Sequence, residues 1–281
     1  MDMSTVRCLW EARALLGEGP AWIEARQRLY FVDIKAPAVH ALDLADGTRH
    51  SWPMPAEIGW LIPHPDGGCF VAGLCDGFAL LWLEPEVRIE YLARPHADRP
   101  ELRLNDAKLD RWGHIWAGSM NDPDPSRPDG RLYRLDPDGQ WMVADDGYHV
   151  CNGPTFSPDG RTLYHNDSWL GRVYAYDLDP SGTLGNRRLW RQFGEGEGLP
   201  DGMTTDRDGC LWIAQWGAGR VGRFSPAGEL LRSIELPASQ ITSCVLDADE
   251  KRLFVTSARK WLSDAQLAAE PLAGAVFEVT L

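Results

Sequence analysis

Short apolar strands alternate with tight turns along the whole chain, and no stretch keeps a 3.6-residue apolar period. One pattern recurs six times: a turn of Asp, Gly or charged residues, then an apolar strand that ends in small or polar residues. Its copies begin at Trp22, His64, Leu109, Ser157, Thr205 and Leu246. The starts are separated by 42, 45, 48, 48 and 41 residues, a period typical of four-stranded propeller blades. A β-sandwich is the alternative, but this period favours radial repetition. The pattern predicts an all-β fold, a six-bladed β-propeller, as one domain over residues 1–281.

A second strand pattern follows most copies of the first. It starts at a Gly, alternates in polarity and closes on a turn, as in GRLYRLDPDG from Gly130 and GRVYAYDLDPSG from Gly171. Glycine supplies the positive φ of such turns without steric cost. We expect the N-terminal strand near 5–12 to join the C-terminal blade and close the ring. One short helix is predicted near 263–269, where Ser263 and Gln266 have capping-box spacing.

The residues just upstream of the repeated cores define a candidate site. Five of them stand four residues before the core and one, in the fourth repeat, stands five before it: Glu18, Trp60, Asn105, Asp201, Thr242 and Asn152. These positions enter the innermost strand of each blade, where equivalent positions crowd around the axis of a propeller. Four of the six are carboxylate or amide residues, an oxygen-rich set that suits a hard cation. Turn formation is the alternative for any one Asn or Asp beside Gly, but four in register favour metal or ligand coordination.

Composition and charge narrow the class of partner. The net charge of −13 argues against nucleic acid, an anionic membrane or a polyanionic substrate, and is compatible with a neutral or cationic ligand or a metal ion. Six scattered cysteines without a C-x-x-C pair favour neither a zinc ribbon nor a disulfide scaffold. Residues 1–20 hold no apolar stretch of signal-peptide type, and no run reaches membrane-spanning length. We therefore expect a cytoplasmic protein, with a monomer as the default.

Sequence motifs for other chemistries are missing. The chain has no G-x-S-x-G elbow, no H-E-x-x-H, no Walker A loop and no dinucleotide fingerprint. Its seven histidines show no metal-ligand spacing. His149 and His165, which flank Asn152, are secondary candidates.

Four ordered segments carry a resemblance to known proteins. They are LLGEGPAWIEARQRLYFVDI, RLNDAKLDRWGHIWAGSM, HVCNGPTFSPDGRTLYHNDS and LPDGMTTDRDGCLWIAQWG. Together they resemble the SMP-30/gluconolactonase family over nearly the whole chain. The C-terminal TSARKWLSDAQLAAEPLAGAVFEV is most similar to bacterial sugar lactonases such as xylonolactonase, gluconolactonase and arabinolactonase. The resemblance implies a six-bladed propeller with a divalent metal in its central tunnel and a sugar lactone as its small-molecule substrate.

The resemblance also implies roles for individual residues. The family's three protein metal ligands, a Glu, an Asn and an Asp, match Glu18 in G-E-G-P, Asn152 in N-G-P and Asp201 in P-D-G. Its substrate-binding Arg and Asn in R-x-N-D match Arg103 and Asn105.

One position departs from the family pattern. Members often carry an acidic substrate contact shortly after the A-G-[ST]-M strand, whereas here residues 117–120 lead to Asp122 with no Glu at that distance. Asp122 is therefore the substrate-binding candidate, and the sugar preference stays open. We predict that 121–129 forms a rim loop that affects selectivity. Trp60 and Thr242 are expected to line the site, although a core position is equally compatible with Trp60.

These observations predict metal-dependent hydrolysis of an aldonolactone, such as xylono-, arabino- or gluconolactone, to the free acid. One divalent ion (Ca²⁺, Zn²⁺, Mn²⁺, Mg²⁺ or Fe²⁺) would polarise the lactone carbonyl, and Asp201 is the candidate general base for water attack. A metal-dependent esterase or phosphotriesterase and a non-catalytic calcium-binding propeller stay open as alternatives. Arg103 and Asn105 favour an enzyme, because metal binding alone does not need them.

Overall fold

Six four-stranded antiparallel sheets make up the computed structural model, which describes residues 5–281. Blade 1 consists of β2 (Gly17–Ile23), β3 (Arg28–Asp33), β4 (Ala38–Asp43) and β5 (Arg49–Pro53). Blade 2 consists of β6 (Ile58–Pro63), β7 (Phe70–Leu74), β8 (Gly77–Trp82) and β9 (Arg88–Ala93). Blade 3 consists of β10 (Leu102–Leu109), β11 (Ile115–Asn121), β12 (Gly130–Leu135) and β13 (Trp141–Tyr148).

The second half of the chain continues the series. Blade 4 consists of β14 (Cys151–Phe156), β15 (Thr162–Asp167), β16 (Arg172–Leu178) and β17 (Leu184–Gln192). Blade 5 consists of β18 (Leu199–Thr205), β19 (Leu211–Trp216), β20 (Arg220–Phe224) and β21 (Leu230–Glu235). Blade 6 consists of β22 (Ile241–Leu246), β23 (Arg252–Ser257), β24 (Val276–Thr280) and β1 (Thr5–Trp10). The six-bladed all-β propeller predicted from the repeat period is confirmed.

The N-terminal strand closes the ring, as predicted. β1 pairs antiparallel with β24, with Thr5 opposite Thr280, so the first strand of the chain is the outermost strand of the last blade. β22 contacts β2, which brings blade 6 against blade 1. The predicted single domain also covers residues 1–4, which lie outside the described part of the chain.

Helical structure is scarce. The described residues contain a one-turn 3₁₀ helix, Glu24–Arg26, and one α-helix, α1, Asp264–Ala269. Ser263 Oγ accepts the Gln266 N–H, and the Gln266 side chain accepts the Ser263 N–H at 3.0 Å, so the predicted capping box is present. Within residues 5–281 no helix is long and apolar enough to cross a membrane.

The first strand of every blade carries a break in register against the second. The breaks lie at Glu18/Ala21, Ile58/Trp60, Leu104/Ala107, Asn152/Thr155, Pro200/Met203 and Ile241/Ser243. A β-bulge bends its strand and re-aims the side chains around it. Four of the six breaks begin at or enclose a candidate carboxylate or amide. The repeated bulge is therefore the local backbone feature that sets the direction of these side chains.

Glycines allow the first strands of neighbouring blades to approach closely. A Cβ on Gly59 of β6 would lie 2.5 Å from the backbone oxygen of Asn105 in β10. A Cβ on Gly202 of β18 would lie 2.1 Å from Ser243 Oγ in β22. Both distances are shorter than any non-bonded contact can tolerate, so only glycine fits at either position. The strands that carry the candidate residues are thereby held side by side.

In blades 3 and 5 the Asp of the repeated turn fastens the turn to the following strand. Asp110 accepts the Trp112 N–H at 2.8 Å with one carboxylate oxygen and the Trp116 indole N–H at 3.0 Å with the other. Asp206 in blade 5 makes the same indole contact to Trp212, also at 3.0 Å. Because a buried indole N–H needs a partner, the turn Asp and the strand Trp of these repeats depend on each other.

Candidate active site

The six residues predicted as metal ligands or substrate contacts line one cavity of about 710 Å³. They are Glu18, Arg103, Asn105, Asp122, Asn152 and Asp201. The cavity draws them from blades 1, 3, 4 and 5, and all but one are buried. The exception is Asp122, whose side chain is 29% exposed. The structure thus brings together residues that are up to 183 positions apart in the sequence, as the repeat register predicts for Glu18, Asn105, Asn152 and Asp201.

Two amides join blade 3 to blade 4 at the cavity floor. Asn105 Nδ2 donates to Asn152 Oδ1 at 2.8 Å and to the Cys151 backbone oxygen at 2.7 Å. Asn152 Nδ2 donates to Ser168 Oγ at 2.9 Å, and the Ser168 hydroxyl donates to the Pro200 backbone oxygen at 2.6 Å. This chain of hydrogen bonds orients the Asn152 oxygen towards Asn105 and the cavity. A carbonyl oxygen has two lone pairs, so one remains for another donor or a cation.

Three buried carboxyl groups lie close together beside these amides. Burial, followed by the charges of Asp201 and Asp106, raises the pKa of Glu18 well above its usual value. Burial and the charge of Asp106 do the same to the pKa of Asp201. Burial raises the pKa of Asp106 to about 7. Arg103 and Lys108 act in the opposite direction without removing the shifts.

The donor set fits a divalent cation. Asp201 Oδ1 is buried and has no hydrogen-bond partner within residues 5–281, while Asn166 Nδ2 holds the Asp201 backbone oxygen at 2.6 Å. No three His, Cys, Asp or Glu side chains in that part of the chain form a metal site by themselves. The Asn152 oxygen lines the same cavity as Glu18 and Asp201 and would be available to a cation between them. Carboxylate and amide oxygens are ligands that hard divalent ions prefer.

Arg103 is held in place by a network of hydrogen bonds and ion pairs. Its Nε donates to Asp122 Oδ1 at 2.6 Å, and its Nη1 donates to Asn105 Oδ1. Lys35 Nζ donates to Asp122 Oδ2 at 2.5 Å and to Glu57 Oε1 at 2.8 Å. Burial acts to raise the pKa of Asp122, but Arg103 and Lys35 outweigh it and lower that pKa. Asp122 is thus an ionised anchor for the arginine.

Sequence reasoning did not single out Lys35 or Glu57. Lys35 follows β3 and Glu57 precedes β6, in connections that carry no recurring motif. What the sequence offered was their position, with Lys35 just after a strand of blade 1 and Glu57 just before a strand of blade 2.

The cavity mouth is aromatic. Trp169 is 49% exposed and Trp261 is 68% exposed, and both line the cavity together with Trp216. The Trp216 and Trp261 rings meet edge to face with their centroids 6.0 Å apart. Pro123 and Pro125 also line the cavity, so part of the predicted 121–129 rim loop does border the site.

Trp60 and Thr242 do not line the cavity, which corrects the expectation for Thr242 and favours the core alternative for Trp60. Trp60 is 1% exposed, and its ring packs with Phe78 in the cluster shared by blades 2 and 3. Thr242 is fully buried and its hydroxyl donates to the Gly17 backbone oxygen at 2.6 Å. Both side chains contact a neighbouring blade. Side chains of the inner strands that do not point into the cavity fill the space between blades.

The two secondary histidine candidates lie outside the cavity lining. His165 is fully buried, and its ring meets Tyr148 edge to face with centroids 4.7 Å apart. Burial lowers the pKa of His165 to about 3, so the ring is neutral. His149 Nδ1 lies 3.0 Å from Asp167 Oδ2. His165 therefore packs between blades 3 and 4, and His149 is paired with Asp167 of β15.

The fold and cavity define a class of protein: a six-bladed propeller with an oxygen-rich site between its inner strands. The family model described as the SMP-30/Gluconolactonase/LRE-like region matches residues 16–259, and the chain belongs to this family. It is 38% identical to the 6-deoxy-6-sulfogluconolactonase of Pseudomonas putida over 97% of this chain and 94% of that protein. It is 35% identical to the L-arabinolactonase of Azospirillum brasilense over 96% and 89%, respectively.

Solved structures agree with this placement. The crystal structure of regucalcin from Agrobacterium tumefaciens, described as a calcium-binding protein, superposes with a TM-score of 0.93 at 29% identity. The alignment covers 98% of this chain and 93% of that one.

Proposed function

We propose that the protein hydrolyses the ring ester of a sugar-acid lactone to the free aldonic acid, using one divalent ion held by Glu18, Asn152 and Asp201. The observation that carries the proposal is the convergence of these three residues with Arg103 and Asn105 on one cavity. The names of the Pseudomonas and Azospirillum relatives support a lactone as substrate. Xylono-, arabino- and gluconolactone are the first substrates to test.

Ester hydrolysis requires stabilisation of the negative charge that develops on the carbonyl oxygen. When bound, a divalent ion supplies this stabilisation as a Lewis acid and lowers the pKa of a coordinated water. The all-oxygen donor set suits Ca²⁺, Mg²⁺ or Mn²⁺, and Zn²⁺ or Fe²⁺ with added waters. Asp201 orients the attacking water and takes its proton at Oδ1, the carboxylate oxygen that has no hydrogen-bond partner within residues 5–281.

Arg103 and Asn105 hold the substrate against these groups. Within residues 5–281, Arg103 Nε and Nη1 are occupied by protein acceptors, whereas Nη2 makes no hydrogen bond. That nitrogen is free to donate to a hydroxyl or to the ring oxygen of the lactone. Because Asp122 holds Nε at 2.6 Å, the guanidinium is positioned before the substrate arrives.

The proposal is tested by following acid release from pentono- and hexonolactones. Activity should disappear on exhaustive chelation and return with one preferred ion of the five candidates. Asp201→Asn should abolish turnover in a folded protein, while Asp249→Asn, at a carboxylate that is 74% exposed and outside the cavity lining, should not. Near-normal turnover by Asp201→Asn would refute the role of its carboxylate.

The same preparations distinguish the other functions. Hydrolysis of aryl esters or phosphotriesters at rates above those of every lactone would favour the esterase alternative. Tight calcium binding without hydrolysis of any ester would favour a binding protein, the description that the Agrobacterium structure carries.

A further inference from the structure

One cation at the cavity has no anionic partner. Lys260 follows β23 and lines the cavity, and its backbone N–H donates to the Leu15 oxygen at 2.9 Å, which holds it beside the start of β2. Its ammonium makes no hydrogen bond or ion pair within residues 5–281. The group lies 4.3 Å from the centre of the Trp261 ring at the cavity mouth.

Two other positively charged side chains near the cavity form ion pairs with carboxylates. Arg103 pairs with Asp122, and Lys35 pairs with both Asp122 and Glu57. Burial, and then the charge of Lys35, lower the pKa of Lys260, while Asp122 and Glu57 act in the opposite direction. A partly buried ammonium without a paired carboxylate is costly. A negative group on a ligand would relieve that cost.

We propose that Lys260 binds an anionic substituent of the lactone at the end remote from the carbonyl. This inference rests on the proposed lactonase function and names the substrate class: a sugar lactone that carries a sulfonate, carboxylate or phosphate. Glu18 and Asp201 are buried at the inner strands, whereas Lys260 stands by the exposed Trp261, so the substituent would bind nearer the cavity mouth than the reacting carbonyl. The net charge of −13 opposes an anionic ligand at long range, so such a substrate requires a local cation.

Lysine presents a point charge with rotatable donors, so it does not select between planar and tetrahedral anions. The inference therefore predicts a preference that follows charge and not the shape of the substituent. Matched lactones of one sugar test this: the neutral gluconolactone and its counterparts with a sulfonate, a carboxylate or a phosphate at carbon 6.

The measurement is the ratio of kcat/KM for each anionic lactone to that for the neutral one. The wild-type ratio should be about ten-fold or more, since a hydrogen bond to a charged group contributes at least about 1.5 kcal/mol. Lys260→Met should bring the ratio near one, and Lys260→Arg should largely restore it. Lys251→Met is the matched control, because Lys251 precedes the strand that Lys260 follows and its side chain is 76% exposed. A ratio that Lys260→Met leaves unchanged would overturn the inference while the lactonase function stands.

A binding experiment judges the inference even if no lactone is hydrolysed. Calorimetric titration with gluconate and with 6-deoxy-6-sulfogluconate compares two product acids that differ by one negative charge. The wild-type protein should bind the sulfonate about ten-fold more tightly, and Lys260→Met should bind the two equally. Equal affinities in the wild-type protein would refute the role of Lys260, whereas failure of hydrolysis with intact discrimination would refute only the proposed reaction.

Discussion

Replacing Asp106 with Asn should stabilise the chelated protein at alkaline pH. The Asp106 carboxyl is buried near Glu18 and Asp201 and accepts the Ala107 N–H at 2.7 Å, and burial raises its pKa from 3.8 to about 7. A carboxyl whose pKa is higher in the folded state costs stability above that pKa, and the cost disappears as the pH falls towards the unfolded value. At about 1.36 kcal/mol for each tenfold change in the dissociation constant, the cost at pH 8 is at most about 4 kcal/mol. Asn avoids this cost and still accepts the backbone N–H.

Urea denaturation in the presence of a chelator measures the effect. At pH 8 the free energy of unfolding should be higher for Asp106→Asn than for the wild-type protein by up to about 4 kcal/mol. The difference should shrink steadily between pH 7 and pH 4. Asp249→Asn removes an exposed carboxylate and should show no such pH dependence. An Asp106→Asn protein that is equal to or less stable than the wild type at pH 8 would refute the inference that the ionised Asp106 carboxylate destabilises the folded protein.

Two further predictions concern the groups around Arg103. Asp122→Asn removes the ion pair that positions the guanidinium, so steady-state kinetics should show KM raised about ten-fold with a smaller change in kcat; an unchanged KM would remove Asp122 from the substrate site. Gly59→Ala places a Cβ where the Asn105 backbone oxygen lies 2.5 Å away, and such overpacking should cost about 1–3 kcal/mol in urea denaturation. A neutral Gly59→Ala would show that the inner strands can move apart freely.

The propeller followed from the sequence because each blade repeats the same physical problem. Every turn needs residues that accept its geometry, and every middle strand needs apolar side chains on both faces. The same sequence pattern therefore recurs six times. The bulges at Glu18/Ala21 and its five equivalents were not predictable in this way. A bulge depends on the partner strand, which local patterning does not describe. The cytoplasmic location and the monomeric state stay predictions.

The candidate site was predictable only where it follows the repeat or the family motifs. Register located Glu18 and Asp201, and the resemblance separated metal ligands from substrate contacts. Lys35 and Lys260 come from connections after β3 and β23 that have no repeat, and their importance depends on the ion pair of Lys35 with Asp122 and on the charges that act on Lys260. Trp60 shows the converse: it is in register, but it packs between blades, the second of the two alternatives that the sequence left open. Sequence position alone does not distinguish a side chain aimed at the cavity from one aimed at a neighbouring blade.

The central claim is that one cavity couples binding of a single divalent ion to lactone hydrolysis. The most direct test adds the preferred ion stepwise to chelated protein of known concentration and records the rate of lactone hydrolysis at each step. The account predicts a rate that rises from near zero in proportion to added ion and levels off at one ion per chain, with no rise for Asp201→Asn. Full activity before any ion is added, or a rise of wild-type size in Asp201→Asn, would contradict it.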